Sequence, residues 1–296
     1  MIWLTWRQHR IEAIVGSVLL LLAMGFLLVS IPKGGTPASQ VTQQQEDFVA
    51  IVTYLFSLLP LLIGMFLGAP IVSREVEQGT HRLIWTQSIT RNSWLLKKVG
   101  LLAGAVGLCA ILLGLVARLW GNPVNIWLSF DLQVPALLSY SLYALAVGVA
   151  LSILVRKTVA VIALTIPAFV LPRLAVFAIR PFFLPAMTYT WDPSQADPRA
   201  GLGDWRLTDG LIDSHGQAVS EDYAHQLCEP GNGTAPSQDK FGPLNQCWHD
   251  HGFLQQTSYH PATQFWLFQS MEAVMFLALA ALLLFVAMWL LRQLEK

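Results

Sequence analysis

Residues 135–177 read PALLSYSLYALAVGVALSILV-RK-TVAVIALTIPAFVLPRLAVF, two apolar runs of 21 and 20 residues joined only by Arg156 and Lys157. About 20 residues of helix cross a bilayer, so each run has the length of one span. Lipid offers no hydrogen-bond partners to the backbone, so a spanning segment must satisfy its own N–H and C=O groups as helix. Working outward, four further runs have the same character, at residues 11–31, 48–72, 99–120 and 265–291. The whole chain is 54% hydrophobic and 12% charged, against about 25% charged for a soluble domain. These observations predict an all-α integral membrane protein with six transmembrane helices. Pro60, Pro167 and Pro172 lie inside the runs, which is tolerated in a membrane because neighbouring helices satisfy the carbonyls they free.

Charge placement predicts the orientation. With the N-terminus cytoplasmic, the inside segments hold eleven Lys and Arg residues, from Arg7 and Arg10 to Arg292 and Lys296. The short outside loops hold only Lys33 and Arg118. This asymmetry places both termini in the cytoplasm. The first run is read as a retained span, since it is long for a signal peptide and no small-residue cleavage site follows it. Residues 1–10, MIWLTWRQHR, pair Trp3 with Arg7 and Trp6 with Arg10 at i,i+4. That pattern predicts a short helix lying along the inner interface, with Trp at the headgroups and Arg on anionic lipid. The expected divisions are therefore 1–10, 11–180 with a cytoplasmic connector at 73–98, an extracytoplasmic segment at 181–264, and 265–296.

The extracytoplasmic assignment has independent support. Of three cysteines, Cys109 falls in the third span, whereas Cys228 and Cys247 fall in the polar segment. Two cysteines in an external, loop-rich region are most simply a disulfide, worth roughly 3 kcal/mol for a loop of this size. Five of the seven histidines also lie there. His249 and His251 are spaced i,i+2, which lacks the helical spacing of a zinc motif, so no metal is expected. Inside the spans, Arg173 and Glu272 lie at similar depth from the outer ends and are expected to form an ion pair. Zero net charge gives no field that would draw nucleic acid.

The connector at 73–98, SREVEQGTHRLIWTQSITRNSWLLKK, carries the functional signal. Ser73 is placed to cap a short helix with Glu75 and Glu77 in its first turn, and Gly79-Thr80 redirects the chain. The segment resembles the cytoplasmic connector of type-2 ATP-binding cassette (ABC) transporter permeases, approximately R-E-x-E-x-G-T followed by an apolar turn and P-x-S/T-R. Arg74, Glu75, Glu77, Gly79 and Thr80 match the first part, and Thr90 and Arg91 the second; Ser88 stands where the family usually has proline. The resemblance implies a permease subunit, as an exporter in a bacterial cell membrane. Its implied partners are a second permease copy or relative and two ATPase subunits that bind ATP and Mg. It implies no enzymatic activity and no bound cofactor in this chain. The carboxylates of Glu75 and Glu77 and the cations of His81, Arg82 and Arg91 can pair across that interface, with Leu83 and Trp85 as buried anchors. No G-x-x-x-x-G-K-[ST] occurs, since no suitably placed Lys-Ser/Thr follows Gly231-Asn232-Gly233. A membrane sensor or accessory protein with an external ligand-binding domain is the competing reading, and an intramembrane enzyme a weaker one.

Overall fold

The computed structural model describes residue 25 and residues 51–77, 91–119, 126–155, 157–200, 202–228 and 242–293. Five helices in it are long and apolar enough to cross a membrane: Ile51–Arg74 (which with its helical continuation to Glu77 is α1), Ser93–Arg118 within Arg91–Leu119 (α2), Ile126–Val155, Thr158–Phe182 and Ala262–Gln293. They correspond to the second to sixth apolar runs. The N-terminal segment 1–10 and all of the first run, 11–31, except residue 25 lie outside the described residues. The third spanning helix comprises a 3₁₀ section, Ile126–Leu132, and the α-helix Val134–Val155 (α3). The last two contain α4, Thr158–Ile179, and α7, Phe265–Gln293.

The chain divides into two compact units. In the first, α3 is the central helix. It is apolar all round and buried on nearly every side from Ala136 to Ile153, the signature of a helix surrounded by others. Its closest neighbour is α1, which widens into a π-helical turn at Gly64–Gly68, with Ala69 N–H bonded to the Gly64 carbonyl at 2.9 Å. Here backbones meet directly: a Cβ on Gly148 would lie 2.4 Å from the Gly64 carbonyl oxygen, and one on Gly68 would lie 2.8 Å from that of Leu145. Gly64 and Gly68 therefore serve close helix approach, as their spacing suggests. Gly100 and Gly104 of α2 meet nothing within 4 Å among the described residues.

Proline is accommodated as lipid-embedded helices require. Pro172 cannot donate to the Ala168 carbonyl four residues earlier. The Tyr143 hydroxyl on α3 donates to that carbonyl at 2.8 Å.

The second unit comprises Pro123–Trp127 and Ile179–Phe265. It holds a four-stranded antiparallel sheet in the order β1-β4-β2-β3, from Met187–Trp191 (β1), Trp205–Ile212 (β2), Ala218–Val219 (β3) and Leu254–His260 (β4). Two helices, Glu221–Cys228 (α5) and Gly242–Asp250 (α6), accompany it. Leu211, Ala224 and Phe253 form its core with Val219 and Trp248. Cys228 and Cys247 are bonded to each other, joining the two helices. The membrane helices agree with the all-α expectation; the sheet is an addition that the loop-rich reading of this segment did not contain.

Candidate coupling site

The connector motif begins on the last section of α1. Pro70 opens this section, and Ile71 and Val72 enter the bundle core, so the helix runs unbroken through Ser73 to Glu77. This corrects the expectation that Ser73 caps a new helix. Ser73 is buried in mid-helix, with its hydroxyl donating to the Ala69 carbonyl at 2.7 Å. Glu75 and Glu77 consequently fall in the last turn, where a carboxylate opposes the helix dipole.

Glu77 finds its compensation on another helix. Its Oε1 accepts the backbone N–H of Thr158 at 3.0 Å, and its Oε2 accepts the Thr158 hydroxyl at 2.7 Å. Thr158 is the first residue of α4, so its N–H is one of the donors a helix leaves unpaired at its start. The negative charge also suits that end of the α4 dipole. The hydroxyl and N–H bonds hold Glu77 below the usual carboxylate range, outweighing slight desolvation, with Lys157 adding a smaller attraction. The Ser73 and Thr158 hydroxyls are 3.0 Å apart. Thr158 commits its single proton to Glu77, so the Ser73 proton divides between the Ala69 carbonyl and the Thr158 oxygen.

The far end of the connector is tied as well. Lys98, on α2, donates from Nζ to the Ile71 carbonyl at 3.1 Å and lies 5.1 Å from the Trp94 ring centroid. Arg74 is exposed, while Glu75 and Arg91 are placed by their backbones alone. Gly79, Thr80, His81, Arg82, Leu83 and Trp85 lie outside the described residues.

A second polar cluster occupies the opposite end of the same helices. Arg173 does not pair with Glu272, as expected from depth, but with Asp131 at 2.5 Å. The reason is local: the 3₁₀ section before α3 turns Asp131 toward Arg173, whereas the linear sequence places it in a connecting loop. Tyr140 links the two expected partners. Its ring lies under the Arg173 guanidinium, 4.1 Å away, and its hydroxyl donates to Glu272. Gln269 completes the cluster, donating to the Phe130 carbonyl at 2.6 Å and accepting the Ala136 N–H, an unpaired donor of the first turn of α3.

In the second unit, Cys228, Cys247 and His251 are close enough to share a cation, but the cysteines are bonded to each other and their thiolates are thereby consumed. His249 faces Asp192 at 2.8 Å. The Ser194 hydroxyl and N–H hold Asp192 below the usual carboxylate range, and His249 adds to the effect.

Membrane-length helices, with a charged connector whose carboxylate is fastened to the start of another span, define a polytopic membrane protein with a linked polar end. The chain belongs to the ABC-2 membrane transporter related family, whose model matches residues 13–180. That region contains the connector, Asp131, Thr158 and Arg173, and ends before the first strand of the sheet, Met187–Trp191. No curated protein and no solved structure matches the chain.

Thr158 and Asp131 were not legible as functional residues in the sequence. The available signals were Thr158 directly after Arg156-Lys157 at the head of an apolar run, and Asp131 as the sole acid between the third and fourth runs.

Proposed function

We propose that this chain is the transmembrane permease subunit of an ABC exporter. Two such subunits, identical or related, enclose the pathway, and separate ATPase subunits bind ATP and Mg and drive it through the 73–98 segment. In this reading Arg74, Glu75, His81, Arg82 and Arg91 supply the charged docking face, and Leu83 and Trp85 its apolar anchors. Gly79 and Thr80 turn the chain between the two helical parts. Both termini and the connector face the cytoplasm of a bacterial cell, and the unit carrying the sheet faces outside.

One observation carries the proposal: Glu77, a member of the family motif, is fastened by two hydrogen bonds to the start of α4. A connector that merely spans two helices needs no such attachment. A sensor or accessory protein would account for the folded second unit, but it leaves this attachment without a task.

The test is isolation of the chain from its native membrane in mild detergent. An ATPase chain is expected to co-purify, and Leu83→Asp with Trp85→Asp is expected to release it. Recovery of the folded chain with no ATPase would overturn the reading.

A further inference from the structure

We infer that α4 is the span that receives the movement of the connector, with Glu77 as the positioning residue that hands it over. This rests on the permease reading and specifies which helix the ATPase moves.

Three observations support it. The first is the asymmetry of attachment. At the Lys98 end, the connector is tied back to α1, the helix from which it departs. At the Glu77 end it is tied to a different span, through both carboxylate oxygens and the Ser73–Thr158 contact. A pull on the end of α1 therefore reaches Thr158 directly. The carboxylate is also badly placed on its own helix, so the contact with α4 is the one that stabilises it.

The second is the construction of α4. Pro167 and Pro172 remove two hydrogen bonds from its middle. Ala168, between them, bonds outward to Tyr143 instead. Prolines at such points are where helices kink, so the two halves of α4 can change angle at small cost while each half stays intact. The third is packing. Leu164, Ile166, Leu171 and Leu174 on α4 are exposed among the described residues, whereas α3 is buried on nearly all sides. Among the described residues, α4 is the less confined of these two helices. Its far half carries Arg173, held to Asp131 and over Tyr140. A motion entering at Thr158 thus arrives at the polar cluster across the bundle.

The experiment uses the complex with the ATPase that co-purifies. Spin labels are placed at Leu96→Cys and Val159→Cys, both exposed, in a Cys109→Ser background. In the otherwise native protein, ATP with Mg is expected to shift the distance between the labels. Glu77→Gln and Thr158→Val should abolish that shift while the ATPase stays bound and hydrolyses ATP. Thr158→Ser, which keeps the hydroxyl, should restore it. A normal shift in Glu77→Gln and Thr158→Val would overturn the inference and leave the permease reading intact. Loss of the bound ATPase from Glu77→Gln would also overturn it, because Glu77 would then belong to the docking face. If no ATPase accompanies the native chain, both readings fail together.

Discussion

At the scale of single residues, Glu77 shows how a motif position acquires a physical role. Its charge and location could be read from sequence, but Thr158 lies 81 positions away, and only folding brings it near. The consequence is a definite pH dependence. Glu77 titrates below its ordinary range in the folded chain, so the contribution of its cap is complete above that range. It is lost as pH falls through the depressed value. Hydrogen exchange at the Thr158 amide, corrected for its intrinsic pH dependence, should show protection that disappears on acidification. In Glu77→Gln the protection should be weak at every pH; unchanged protection in that variant would contradict the cap. The Arg173 pairing is a second residue-scale matter. Depth in the membrane is a reason for Arg173 to have a partner but does not say which, and the 3₁₀ section brings Asp131 to it. Arg173→Ala should lower stability by on the order of 2 kcal/mol, as for a partly buried hydrogen bond between charges, read as a melting shift in detergent. Asp131→Arg with Arg173→Asp should recover part of the loss. Glu272→Arg with Arg173→Asp should recover none.

At the scale of elements, the helices were legible and their contacts were not. An uninterrupted apolar run of span length has one structural solution in lipid, so the helices from 51 onward follow from composition and length. Which glycines meet a neighbour depends on the rotation of each helix, and nothing local fixes that. Gly64, Gly68, Gly100 and Gly104 have the same four-residue spacing, yet only the first two touch α3. Gly148 is the tightest position of this contact, yet no second glycine at four-residue spacing marks it in the sequence. Gly148→Ala should cost about 1–3 kcal/mol through overpacking, toward the upper end because the clash is with backbone that cannot rotate away. Gly107→Ala, whose new Cβ would meet the Leu138 side chain at an ordinary 3.4 Å, should be close to neutral. Equal melting temperatures for the two variants would show that α1 and α3 are not in backbone contact. The strands of the second unit were missed for another reason. They are short and polar, with sequences such as LQQTSYH and WRLTDGLI, so their stability lies in cross-strand pairing rather than in any local pattern.

At the scale of the whole molecule, charge asymmetry, cysteine placement and the family motif were separate clues in the sequence that implied one orientation. The structure adds that the two cysteines of the polar segment are bonded, while Cys109 is unpaired and lies in a span. A disulfide persists only where the compartment is oxidising, so the proposed sidedness makes a prediction about thiols in intact cells. A membrane-impermeant maleimide should label no cysteine of the chain before reduction. After treatment with an impermeant reductant it should label Cys228 and Cys247. Cys228→Ser should leave Cys247 labelled without reductant, and this variant separates an inaccessible disulfide from an absent one. The opposite orientation would leave both thiols in the cytoplasm, reduced and beyond the reagent, and labelling would then require permeabilised cells. That outcome would also place the 73–98 segment outside, where no ATPase can reach it, so one labelling pattern tests the disulfide, the topology and the premise of coupling together.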